Sequence, residues 1–363
     1  MKIKTVTEYL ESIAPKDYQE NYDNSGLLTG NPDWEITQTL ITLDCTEEVV
    51  DEAIENNCNL IIAHHPVIFK GLKSVTGKNY VERTIIKAIK NDIAIYAIHT
   101  NLDNAWLGVS KKMGELLGLE NMKILAPKTR ELCKLYTFCP KEAADKVRNA
   151  LFEAGAGFIG DYSHCSYNTE GKGTFLATEG TNPYVGEIGK IHFEEEIKIE
   201  VIFPKHLQNK IVQALLENHP YEEVAYDIVL LENTHNRIGS GIIGEIAPVD
   251  EVPFLNRIKE VFQCAVIRHT RLLNKPIQQV ALCGGSGSFL LPHAIAQGAD
   301  IYISADFKYH EFFDAENKIL IADIGHYESE QFTKHLIAEH LNKNFSNFAF
   351  RLSEINTNPI NYF

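Results

Sequence analysis

Two stretches of this chain are copies of each other. "KLYTFCPKEAADKVRNALFE" (134–153) aligns without a gap to "KIEVIFPKHLQNKIVQALLE" (198–217), 64 residues further on. Lys134/Lys198, Pro140/Pro204, Lys141/Lys205, Lys146/Lys210, Ala150/Ala214, Leu151/Leu215 and Glu153/Glu217 are identical pairs. Each copy reads as a strand, a helix opened by proline and a further strand ("HCSY" in one, "VAYDIVLL" in the other). Proline suits a helix start, where no backbone donor is needed. Two β-α-β units, with "SYNTEGKGTFLA" expected as a hairpin between them, make a ferredoxin-like module with its own core. This predicts an inserted domain at 127–235. Residues 1–126 and 236–363 then form one interrupted outer domain, and the 363-residue length suits two domains.

The flanking segments have another texture. "TLITLD" (39–44), "LIIAHH" (60–65) and "IAIYAIHTNLD" (93–103) alternate with the helical patterns "TEEVVDEAIENN" and "YVERTIIKAIKN". After 235 the alternation returns in "QQVALCGGSGS", "IYISADF" and "KILIADIGH". Near-continuous apolar strands between helices predict an α/β domain with a mixed or parallel sheet covered on both faces. A formal charge of −15 argues against nucleic acid or an anionic membrane as partner. No apolar run is long enough to span a bilayer, and the first residues have no signal-peptide pattern. The seven cysteines form no C-x-x-C pair and are odd in number, which fits free thiols in a reducing cytoplasm.

"IIAHHPVIF" (61–69) places two imidazoles at a strand end. On a regular strand they would point to opposite faces, but Pro66 donates no ladder bond and biases its neighbour away from the strand, so both can converge on one site. The other strand ends carry Asp44, His99 with Asp103, Asp306, and His326 with Glu330. In open α/β sheets ligands bind at these carboxyl ends. "HTNLD" and "HYESE" each space a histidine and a carboxylate four apart, one turn apart on a helix face. Imidazole with carboxylate and no thiolate suits zinc, iron or manganese, and five or six ligands exceed the need of one structural zinc. The count predicts two divalent ions per chain.

"IIAHHPVIFK", "AIHTNLDNAWLGV", "CGGSGS", "ISADFKYHEFFDA" and "DIGHYESE" together resemble the signature blocks of the GTP cyclohydrolase I type 2 homolog family, the Nif-three-like dinuclear-metal proteins. "AGAGFIGDYSHCSYNTEGKGTF" and "HPYEEVAYD" resemble the PII/CutA-like insert of the longer bacterial members. The resemblance implies that His64, His65, Asp103, His326 and Glu330 are the metal ligands, with His99 a further or supporting one. It also implies a ring-like homo-oligomer, a hexamer.

Other residues have plainer readings. "CGGSGS" lacks the ending of a P-loop and reads as a tight turn walling the site. Lys308 and His310 are candidates for binding a substrate anion or moving protons. "HPYEE" (219–223) looks metal-like yet follows a helix and suits a turn; His335 and His340 read as surface residues of the last helix. Cys133, Cys139 and Cys165 read as small apolar fillers. Two functions fit: a hydrolase using metal-activated water, on a phosphate ester, amide or heterocycle, and a non-catalytic metal-binding, metal-delivery or regulatory protein whose insert senses a ligand.

Overall fold

The computed structural model describes residues 1–363 and divides the chain into two compact units, 1–127 with 237–363 and 128–236. The outer unit holds two mixed sheets, where the alternation of strands and helices in the sequence predicts one.

The first sheet comprises β1 (Gly26–Thr29), β2 (Thr39–Thr42), β3 (Leu60–Ala63), β4 (Ala94–Ala97) and β15 (Phe350–Leu352), ordered β1-β4-β3-β2-β15. All but β1 run parallel, so the carboxyl ends of β2, β3 and β4 lie at one edge. These three strands are wholly buried, and apart from Thr39 and Thr42 at the ends of β2 they are apolar throughout. Helix α1 (Ile3–Ile13) and α11 (Thr333–Asn344) contribute Val6, Leu10, Leu336 and Leu341 to the core on one face. Helix α2 (Glu47–Glu55) and α3 (Tyr80–Lys90) contribute Val49, Val50, Ile85 and Ala88 to the other. Thr46 and Asn79 cap these two helices, accepting from Val49 N and Glu82 N.

The second sheet, ordered β11-β14-β13-β12-β10-β5, comprises β5 (Glu120–Thr129), β10 (Thr234–Val249), β11 (Arg268–His269), β12 (Ile277–Ser286), β13 (Ile301–Ala305) and β14 (Leu320–Asp323). β12, β13 and β14 are parallel and bring a second set of carboxyl ends together. Helix α5 (Val109–Leu117) and α8 (Glu251–Val261) cover one face with Met113, Leu117, Phe254 and Ile258; α9 (Leu291–Ala296) lies on the other with Leu291 and Ala294. Two one-turn helices, α4 (Thr100–Asp103) and α10 (His326–Glu330), follow β4 and β14.

The unit 128–236 runs β6 (Leu132–Pro140), α6 (Ala144–Glu153), β7 (Ser166–Leu176), β8 (Ile191–Pro204), α7 (Gln208–Asn218), β9 (Tyr226–Leu231). Its antiparallel sheet is ordered β7-β8-β6-β9. The repeat is visible in its core, where Val147 and Leu151 of α6 meet Ile211 and Leu215 of α7. The expected hairpin within "SYNTEGKGTFLA" is instead one strand: Gly171 and Gly173 pair along β8 opposite Glu196 and Glu194, and the reversal comes later, at 177–190.

Candidate metal centre

β3 ends at Ala63, so His64 and His65 leave the pleat, although their amides still bond Thr42 and Leu43 carbonyls. His99 ends the segment after β4 as the residue capping α4, whose last residue is Asp103. His326 and Glu330 are the first and last residues of α10, one turn apart.

Four histidines converge, and each is held by Nδ1. His64 donates to the Ile98 carbonyl, and His65, His99 and His326 donate to Asp44, Asp23 and Asp306, all at 2.7 Å. Because these acceptors cannot donate, each Nδ1 carries a hydrogen, which leaves Nε2 as the ring atom open to a ligand. Asp306 adopts φ 59°, a left-handed conformation that aspartate tolerates better than most residues.

Glu330 is buried, and its two oxygens face different neighbours. Oε2 lies 2.9 Å from His65 Nε2 and 3.0 Å from His326 Nε2, while Oε1 is 3.9 Å from His64 Nε2. His64 Nε2 is in turn 3.6 Å from Asp103 Oδ1. Gly285 permits this approach: a Cβ there would meet Glu330 Oε1 at 2.3 Å, and its φ of +62° favours glycine. The "CGGSGS" run, expected as a turn, continues β12 through an irregular register that brings Gly284 and Gly285 against the site.

Whether this arrangement fits a cation can be judged from its lone pairs. His65 Nε2 and His326 Nε2 stand 3.4 Å apart beside a carboxylate oxygen. Three acceptors at such distances repel unless a proton or a metal ion lies among them. His64 Nε2 and Asp103 Oδ1 are buried and have no hydrogen-bond partner, a costly condition for polar atoms unless an ion takes them. The ligand atoms of His65, His326 and Glu330 lie within 4.8 Å of one another, as do those of His64, Asp103 and Glu330, and those of His64, His65 and His99. These groups could hold a metal ion, and imidazole with carboxylate is the donor set of zinc, iron or manganese.

Without metal, protons take its place. Burial opposes charge on His65, but Asp44 and Glu330 outweigh it and push the ring up to about 10. Burial likewise opposes charge on His326, yet Glu330 and Asp306 raise it to about 11. Burial, then the Glu330 charge, pushes Asp103 up to about 7. Burial also works against ionised Glu330, but His326 above all holds it well below the usual range.

A cavity of about 730 Å³ opens over the cluster. Tyr22, Phe69, Pro66, Phe289, Tyr327 and Ile360 give it apolar walls, and no lysine or arginine lines it. The C-terminal segment supplies one side, with Thr357 donating to Asp44 Oδ2 at 2.6 Å and Asn358 to Glu328 at 3.3 Å. Lys308 and His310 are not brought to this cavity: Phe307 is buried after the Asp306 turn, and both side chains beyond it are exposed. His335 is exposed and His340 half-buried, both away from the cluster. Asp23, which holds His99, carries no signal in the sequence: nothing in "NYDNSG" marks it, and its partner is 76 residues away.

A mixed α/β chain whose strand ends gather four histidines and two carboxylates belongs to the class of proteins built around a candidate metal centre. The family model of Duf34/NIF3 (NGG1p interacting factor 3) matches residues 1–359, and the chain belongs to this family. It is 42% identical over 345 residues to a GTP cyclohydrolase 1 type 2 homolog of Halalkalibacterium halodurans, covering 94% of this chain and 92% of that protein. It is 38% identical to the Bacillus subtilis protein of the same description, over 98% and 97% of the two chains. A Bacillus cereus protein related to NIF3 has a crystal structure that matches 100% of this chain and 99% of its own, with a TM-score of 0.88 at 38% identity.

Proposed function

We propose that the chain is a hydrolase with two divalent ions per chain, one held by His65, His326 and Glu330 and the other by His64, Asp103 and Glu330. The observation that carries this reading is Glu330, whose two oxygens face the two groups separately. When bound, zinc, iron or manganese ions supply Lewis acidity and lower the pKa of water to near neutrality. The protein's own part begins with orientation. Asp44, Asp306 and the Ile98 carbonyl fix three rings so that their nitrogens face the site before any ion arrives. His99, fixed by Asp23, lines the cavity and is the group we assign to accept a proton at Nε2.

The relatives' description names GTP. In this cavity no lysine or arginine is available for a triphosphate, while Glu20, Asp44, Asp103 and Glu330 all line it. Apolar walls around a polar centre suit a compact amide or heterocycle better than a polyphosphate. We also infer that 128–236 is a ferredoxin-like module of the PII/CutA kind, a reading supported by its β-α-β-β-α-β order. Seven free cysteines support a cytoplasmic setting, and no helix is long and apolar enough to cross a membrane. A ring-like hexamer is the assembly we expect, measurable as solution mass.

The test loads the protein with each metal and follows a panel of amides, heterocycles, phosphate esters and GTP. Turnover that disappears in Glu330→Gln supports the hydrolase. His99→Ala should keep both ions and lose most turnover. Two bound ions with no turnover of any panel member would favour metal delivery instead.

A further inference from the structure

The metal centre leaves a larger cavity unexplained, about 820 Å³ and lined wholly by residues of the insert. β7, β8, the 177–184 loop and the "HPYEE" turn build it. The turn is rigid for a reason its metal-like sequence conceals. His219 is buried, its Nε2 donating to the Phe138 carbonyl at 3.0 Å and its Nδ1 accepting from Tyr221 N at 3.1 Å. With both ring nitrogens engaged it is a strut, and it presents Tyr221, Glu222 and Glu223 to the cavity.

The walls combine aromatic faces with unneutralised carboxylate. Tyr221 lies 6.3 Å from Phe175 and 6.2 Å from Tyr184, centroid to centroid. Its hydroxyl donates to Glu196 Oε1 at 2.9 Å, and no basic side chain pairs with Glu196. That carboxylate lies across Gly173, where a Cβ would stand 2.2 Å from Oε2, so the glycine in β7 is what lets it lie there. Of the two lysines in the lining, one is paired and the other is exposed beside a ring face. Lys198 bonds Glu200 at 2.6 Å and lies over the Tyr136 ring, and Lys172 lies over Phe193. Within 128–236 acidic residues outnumber basic ones by seventeen to eleven.

We propose that this cavity binds an organic cation, an ammonium group on an apolar body, with the charge against Glu196 and the body against Phe175, Tyr184 and Tyr221. Aromatic faces attract a cation while removing it from water, and a carboxylate beside them supplies the countercharge. An anion would meet the charge of Glu196, while Lys198 is already paired with Glu200. A metal ion would find no free imidazole, because His219 is committed. The site goes beyond the metal reading and does not depend on it.

The test uses metal-loaded full-length protein and three probes of like shape: 2-phenylethylammonium, 2-phenylethanol and 3-phenylpropanoate, titrated by calorimetry. One saturable site per chain is expected for the ammonium, at least tenfold tighter than the alcohol, with no binding of the carboxylate. Glu196→Gln and Tyr221→Ala should each weaken it about tenfold or more while leaving metal content and melting temperature unchanged. Equal affinity for ammonium and alcohol would overturn the proposal, as would indifference to Glu196→Gln. So would absence of binding together with a change of solution mass in Tyr184→Ala, which would make the cavity a contact between copies of the chain.

Discussion

Thr357→Val removes one hydroxyl and keeps the side chain's shape, and it should weaken one metal position selectively. Thr357 Oγ1 donates to Asp44 Oδ2 at 2.6 Å, and Asp44 Oδ1 accepts from His65 Nδ1 at 2.7 Å. Burial works against the Asp44 charge, but His65 and then Thr357 outweigh it and keep the carboxyl below its usual range. A hydrogen bond to an ionised group contributes about 1.5–3 kcal/mol. The Asp44 side chain is 33% exposed, so water compensates part of the loss and the lower figure applies. About 1.5 kcal/mol corresponds to roughly tenfold in affinity, the low end of the 10–100-fold cost typical of groups that orient metal ligands. The ion held by His65, His326 and Glu330 should therefore bind about tenfold more weakly, and the ion at His64 and Asp103 should change by less than about twofold. Competition against a chelator of known affinity, with elemental analysis of ions per chain, separates the two positions. Thr357→Ser should restore binding. Equal weakening of both positions, or none at either, would refute the relay through Asp44.

Glu330→Gln should lower the affinity of both ions, read as ions retained per chain after dialysis; retention of both would show that Glu330 is not shared. Gly285→Ala should displace Glu330 and reduce metal content while the outer unit stays folded, checked by elemental analysis beside circular dichroism. In metal-stripped protein His65 has a pKa raised from 6.5 to about 10, so its stabilisation is fully present below about pH 6.5 and is lost as pH rises through 10. The melting temperature of the stripped protein should fall across that window, and loaded protein should not show the same fall. Joining residue 127 to 237 by a short linker should give a folded protein that retains metal, because 128–236 has a core of its own; a soluble, folded deletion that binds no metal would refute this independence.

The strands were legible because buried parallel strands are near-continuous apolar runs: "LIIA" and "AIYA" are apolar throughout, and "TLIT" adds only two β-branched threonines. Their division between two sheets was not legible, since an apolar run carries no mark of its neighbour. His64 and His65 could be placed together because Pro66 breaks the pleat, a local effect. Asp23 and Thr357 could not, because each acts on a residue far off in the chain and sits in a segment without regular structure. Gly171 and Gly173 misled in the opposite sense: two glycines two apart suggest a turn, but in β7 the second makes room for Glu196. Lys308 and His310 lie close in sequence to Asp306, which holds His326, but the left-handed Asp306 sends the chain after it elsewhere.

The cluster draws on both sides of the insert, and this gives its assembly a clock. His65 and Glu330 are 265 residues apart, so at 5–20 residues per second the ribosome takes roughly 10 to 50 seconds to go from one to the other. During that interval the nascent chain offers His64, His65, His99 and Asp103 but neither His326 nor the carboxylate that faces both groups. Residues 128–236, whose core is self-contained, are completed within the same interval and can fold first. The full set of donors therefore exists only once His326 and Glu330, on the far side of the insert, have been made, and the groups that could hold an ion are completed after the insert.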